Sequence, residues 1–139
     1  MTDLWPDIND VPKKKSPSVI LEEQALLLKE KTNNIVQAEI KRTSPILFRS
    51  ELVKIPFIYE FFLKSPVLKY KYKLFSIAYD VFMYPTYFDI DREITREILG
   101  GKEGEINADN EEEYIVILKR IFNSSKTIKI IQSIISQVT

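Results

Sequence analysis

The apolar residues of this 139-residue chain change their spacing twice. From Val36 to Phe88 they fall largely at every second position; on either side they recur every third or fourth. A period of two belongs to a strand with one face buried, and a period near 3.6 to a helix. One element type cannot serve both, so the pattern predicts an α+β domain with its strands in the middle of the chain. Thirteen of the 15 phenylalanines and tyrosines lie between positions 48 and 88, which assigns the aromatic core to the sheet. A chain of this length folds as one domain, residues 17–139, burying roughly two-thirds of the surface it exposes when unfolded.

Local signals divide the chain further. Residues 1–16 read as an extended arm, because Pro6, Pro12 and Pro17 turn the residues before them away from helix. Ser16-Pro17 then opens a helix, with serine as cap and proline at the first helical position. Its apolar stripe (Ile20, Leu21, Ala25, Leu27, Leu28) is wide enough to cover a sheet, and Asn33-Asn34 ends it. The first strand is expected over Ile35–Arg42, with Val36, Ala38 and Ile40 inward, followed by a turn at Thr43-Ser44-Pro45. The second runs from Val53 to Leu63, with Val53, Ile55, Phe57, Tyr59, Phe61 and Leu63 on one face and Pro56 marking an edge or bulge. After a Lys64-Ser65-Pro66 turn, the third spans Leu68–Asp80. One of its faces starts wet (Lys69, Lys71, Lys73) and ends apolar (Phe75, Ile77, Tyr79), as if a helix covered only one end. A fourth strand falls near Phe82–Phe88, interrupted by Pro85.

Beyond it the helical period returns. Asp91 caps a short helix through Leu99, stopped by Gly100-Gly101. Asp109-Asn110-Glu111-Glu112 opens another helix, with acids at its start and Lys119 and Arg120 near its end to suit the helix dipole. A last helix from about Ser125 places Ile128, Ile131, Ile135 and Val138 on one face, although its isoleucines also suit a strand. The expected architecture is therefore an N-terminal helix, an antiparallel meander of about four strands, and two to three C-terminal helices packed on one face.

Composition removes much chemistry. With 45% hydrophobic residues and zero net charge the chain is not disordered. The absence of cysteine excludes disulfides, thiolate metal sites and a cysteine nucleophile, and the absence of histidine removes the commonest general base. The order helix-strand-strand-strand resembles the core of the PD-(D/E)xK nucleases. Those enzymes need an acid on the second strand and an acid-x-lysine on the third to hold a metal. Here Glu39-Ile40-Lys41 lies on the first strand and lysines occupy the third, so the resemblance stops at topology. Asp89-Ile90-Asp91 resembles the opening of a calcium loop, but Ile94 and Gly100 stand where glycine and glutamate are required. The loop Gly100–Gly104 follows a helix, lacks the Gly-Lys-Ser/Thr ending, and carries Glu103 and Glu105, which repel phosphate. Ser125-Lys126 reads as a helix start, not as a serine–lysine pair. No cofactor or metal is expected. No segment reads as a secretory signal or a membrane helix, so a cytoplasmic location without membrane attachment is expected. Twenty isoleucines against four alanines, and 15 lysines against five arginines, are the bias of an A/T-rich coding sequence, which suggests a bacterial or phage origin.

Charge is the one uneven feature. Residues 41–80 carry eight basic and three acidic side chains, and residues 81–115 carry three basic and ten acidic. Two readings follow. The first is a non-catalytic protein-binding module, of the accessory, immunity or antitoxin type. Trp5, the only tryptophan, on its arm and the acids Glu103, Glu105, Glu111 and Glu112 would contact a protein partner. The arm either docks on that partner or folds back onto its own domain. The second is a nucleic-acid-binding accessory protein using Lys69, Lys71 and Lys73 with Arg49 and Lys54 against phosphates. Tyr70 and Tyr72 point away from those lysines and cannot stack bases beside them. A simpler role for the lysines is to keep a sheet edge unpaired. The amphipathic C-terminal helices also offer a seam for a homodimer.

Overall fold

The computed structural model describes residues 1–10, 14–43 and 55–139. Helix α1 (Pro17–Lys31) starts where the sequence signals it: the Ser16 side chain accepts a hydrogen bond from the Val19 amide at 3.3 Å, and Pro17 occupies the first turn. It ends at Thr32, whose hydroxyl accepts from the Val36 amide at 3.1 Å, while Asn33 and Asn34 take positive φ. The buried stripe of α1 is narrower than expected. Ile20, Leu21 and Ala25 enter the core, whereas Leu26 and Leu27 are exposed.

Strands β1 (Gln37–Arg42), β2 (Phe57–Ser65), β3 (Tyr70–Tyr79), β4 (Thr86–Ile90) and β5 (Ile106–Ala108) form one antiparallel meander in chain order. Two features depart from the simple alternation. Phe61 pairs with Phe75 and Phe62 with Lys73, so Leu74 is an extra residue in β3 and the strand bulges there. The bulge exchanges the two faces. Tyr72 before it and Phe75, Ile77 and Tyr79 after it all lie on the helix-covered side, while Lys71 and Lys73 lie on the other. The half-wet face expected of this strand is therefore two different faces joined by a skipped register. The second departure is at Pro56, where the chain bends. Ile55 packs with Ile58 and Ala78 on the outer face, not with Phe57 and Phe61 on the inner one. Val53 and the Ser44-Pro45 turn lie outside the described residues.

The fourth strand begins later than the apolar run suggested. Val81 and Phe82 sit in a turn in which the Asp80 carboxylate accepts from the Phe82 amide at 2.9 Å and the Asp80 carbonyl from the Met83 amide at 2.8 Å. Phe82 is 82% exposed there. Pairing starts only after Pro85, which has no amide hydrogen to give a ladder. The sheet gains a fifth strand in β5, too short for alternation to reveal.

Helices α2 (Arg92–Ile98), α3 (Glu111–Phe122) and α4 (Ser125–Val138) complete the chain. Gly100 and Gly101 follow α2 at φ +64° and +88°, values that side chains disfavour. The α3 cap is Asn110, which accepts from the Glu113 amide, while the Glu113 carboxylate accepts from the Asp109 amide, both at 2.9 Å. The isoleucine-rich C-terminus is helical. Thr127 and Ile134 are its fully buried positions, and Ile131, Ile135 and Val138 of the expected face pack against the core beside them; Ile128 of that face is exposed.

The helices share the inner face of the sheet. Phe61 and Phe75 stack at 5.0 Å between ring centroids, and Phe122 of α3 closes on both at 5.3 and 6.1 Å. Tyr114 is fully buried; its ring packs on Phe88 at 5.6 Å and its hydroxyl donates to the Pro17 carbonyl at 2.8 Å, tying α3 to α1.

Candidate functional site

The lysine stripe is the simplest candidate to place. Lys71 and Lys73 lie on the outer face of β3, but β3 is the central strand of five, so they guard no sheet edge. Cross-strand carboxylates engage them. Lys71 forms an ion pair with Glu39 of β1, which Lys64 also approaches at 4.0 Å, and Lys73 pairs with Glu60 of β2 at 3.3 Å. Lys71 also lies 4.2 Å above the Phe62 ring. The hydrogen bond from Lys71 holds the Glu39 carboxyl below its ordinary range despite partial burial. These contacts set three lysines against two carboxylates across a solvent-facing sheet surface. Lys69 stands apart in the β2–β3 turn with φ +54°. Arg49 and Lys54 lie outside the described residues.

The acidic candidates separate into two groups. Glu103 pairs with Arg92 at 3.3 Å and, with Glu105, belongs to the loop entering β5. Glu111 and Glu112 occupy the first turn of α3, beyond the far end of β5. Ala108 pairs with Thr86, so this second group lies at the end of the sheet that also carries the Val81–Phe82 turn. The start of α1 is there too, since Tyr79 at the end of β3 donates from its hydroxyl to Ser18 Oγ at 3.1 Å.

Among the described residues the arm is the most exposed apolar feature. Met1, Leu4, Trp5 and Ile8 all face solvent, and Trp5 is 79% exposed. Local bonds shape the segment: the Asp3 carboxylate accepts from the Trp5 amide at 3.0 Å and the Asp7 carboxylate from the Asn9 amide at 3.1 Å. A 3₁₀ turn spans Ile8–Asp10.

One cluster had no counterpart in the sequence reading beyond the Asp91 cap. Asp91 Oδ1 accepts from the Glu93 and Ile94 amides at 3.0 and 3.3 Å, as a cap should. Its other oxygen accepts from the Tyr72 hydroxyl and from Lys126 Nζ, the latter at 2.9 Å. Lys126 lies 4.8 Å over the Tyr72 ring and reaches Glu93 at 3.4 Å. Burial opposes the charge on Asp91, but the bonds from Tyr72 and Lys126 prevail and leave its carboxyl below the usual range. The same bonds outweigh burial at Lys126 and raise its ammonium. The node thus joins β3, α2 and α4 through one carboxylate. Beside it, Glu97 accepts from the Ser125 amide at 3.0 Å, which holds the start of α4 against α2. Ser125 and Lys126 therefore engage different carboxylates instead of each other.

Two concave surfaces adjoin these features. A groove of about 460 Å³ between α1 and α3 has Ile20, Ile115, Leu118 and Phe122 as apolar lining. A second, about 600 Å³, lies between α4 and the β2–β3 turn, where Lys126 is already engaged by Asp91 and Glu93. Among the described residues no group of three or more histidine, cysteine, aspartate or glutamate side chains is arranged to hold a metal ion, and no helix is long and apolar enough to cross a membrane. No family model, curated protein or solved structure matches this chain.

Proposed function

We propose that this protein is a non-catalytic protein-binding module of the accessory, immunity or antitoxin type, and that its N-terminal arm is the docking element. The observation that carries this reading is the arm itself, where Met1, Leu4, Trp5 and Ile8 are held in solvent beside Asp3 and Asp7. Exposed tryptophan is costly to leave in water and is enriched among residues that dominate binding energy. The acids flanking it favour a partner surface with an apolar groove and a basic rim. The nucleic-acid alternative is weakened by the carboxylates that engage Lys71 and Lys73.

Two assays divide these readings. Tagged protein is used to capture partners from the source cell, in parallel with Trp5→Ala and Lys71→Glu variants. The expected result is one stoichiometric protein, lost with Trp5→Ala and retained with Lys71→Glu, and no electrophoretic shift of DNA or RNA at low salt. Equal capture by the Trp5 variant, or a salt-sensitive shift abolished by Lys71→Glu, would overturn the proposal.

A further inference from the structure

The groove between α1 and α3 has the chemistry the arm requires. Ile20, Ile115, Leu118 and Phe122 line it, and Leu27, about two helical turns along α1 from Ile20, lies beside it. Leu27 and Ile115 are 44% and 48% exposed, so their apolar surface lacks a cover. Around this floor stand Lys15, Lys31 and Lys119 with Glu23 and Glu111. Lys15 is bonded to Glu23 at 2.8 Å, which leaves Lys31 and Lys119 against Glu111 and gives the rim a net positive charge, opposite in sign to the arm acids Asp3 and Asp7.

The arm does not occupy the groove of its own chain, since its four large apolar side chains are all in solvent. Pro17 holds Ser16 extended (φ −70°, ψ 154°), and the chain leaves the helix axis there. We propose that the arm of one copy lies in the α1/α3 groove of a second copy, and reciprocally, to form a closed arm-exchanged dimer. This rests on reading the arm as the docking element and names its partner as the same chain. Exchange of an identical segment is a low-cost route to a two-fold dimer, because both contacts are the same contact. Ten arm residues and eleven groove residues per copy reach the size of a specific interface, about 20 to 30 residues a side. Leu4, Trp5 and Ile8 of the extended arm supply the anchors.

Sedimentation equilibrium of the full chain over a concentration series tests the exchange, with Trp5 emission recorded in parallel. The wild type is expected to pass from monomer to dimer as concentration rises, with emission shifting to shorter wavelength over the same range. Trp5→Ala in the arm and Ile115→Glu in the groove should each weaken the dimer at least about thirtyfold, as loss of an interface anchor does. A mixture of the two variants should associate more strongly than either alone, because one intact arm then meets one intact groove. Leu27→Glu, on the exposed α1 surface beside the groove, serves as a second variant, and the melting temperature of each confirms that it folds. A monomer at every concentration, or a short-wavelength emission independent of concentration, overturns the exchange. If self-association is absent while Trp5-dependent capture of a different protein persists, the dimer fails and the docking role of the arm survives. If Trp5 is dispensable in both experiments, both fail.

Discussion

Asp91→Ala is expected to lower the unfolding free energy by about 3 kcal/mol: about 1 for the helix cap and about 2 for the charged hydrogen bonds to Tyr72 and Lys126. The Asp91 side chain is 9% exposed, so water replaces little of what is lost, and the exposed Glu93 is the one carboxylate Lys126 still pairs with. A shift in the urea midpoint at unchanged slope measures the effect. Glu93→Ala, whose side chain is 74% exposed, is the comparison and should cost less than about 1 kcal/mol. An Asp91 effect no larger than that of Glu93 would contradict the role assigned to the node. The pH dependence has a definite sign. Folding lowers the Asp91 carboxyl below its ordinary value of 3.8. Its contribution is therefore complete above that value and is lost as pH falls through the lower, folded one. Below a pH of about 4 the wild type should lose its advantage over Asp91→Asn, and above a pH of about 5 the advantage should be constant.

Phe75→Ala should cost more, about 4 kcal/mol, as truncation of a buried aromatic usually does. Phe75 has no exposed surface and sits at the centre of a ring cluster, stacked on Phe61 and tilted against Phe88 and Phe122 at 6.0 and 6.1 Å. Its loss opens a void between the sheet and α3. It also removes an inward side chain next to the bulge that sets which face of β3 is covered. Phe82→Ala should change stability by less than about 0.5 kcal/mol, because that ring is in solvent already. Calorimetric or urea unfolding of the pair decides the point. Similar costs for the two would mean that the sheet register is wrong.

Much of this architecture is legible in the sequence where the cause is local. Ser16-Pro17, Asp91 and Gly100-Gly101 mark helix boundaries through bonds and dihedrals within a few residues of themselves, and the structure places them so. The bulge is not local. Alternation assumes that no residue is skipped, and the one trace of the skip is the adjacent buried pair Leu74-Phe75. Phe82 was misleading for a related reason: an apolar ring in a strand and one at a turn tip look alike until the Asp80 bonds are seen. At the candidate site the faces of Lys71 and Lys73 could be read from alternation, but their partners Glu39 and Glu60 come from neighbouring strands. Asp91, Tyr72 and Lys126 meet across separations of 19 and 35 residues, which no periodicity records. Whether Trp5 packs on its own domain was undetermined in the sequence, because the arm's acids and prolines suit either outcome.

The docking role of the arm requires that Trp5 be free of its own domain, and its fluorescence tests this without interference because it is the only tryptophan. In dilute protein, acrylamide should quench Trp5 about as readily as in the urea-unfolded chain, and its emission should stay unchanged while circular dichroism follows the domain through unfolding. A Trp5 shielded from the quencher in dilute solution, with emission moving to longer wavelength as the domain unfolds, would show the arm packed on its own fold and contradict the account.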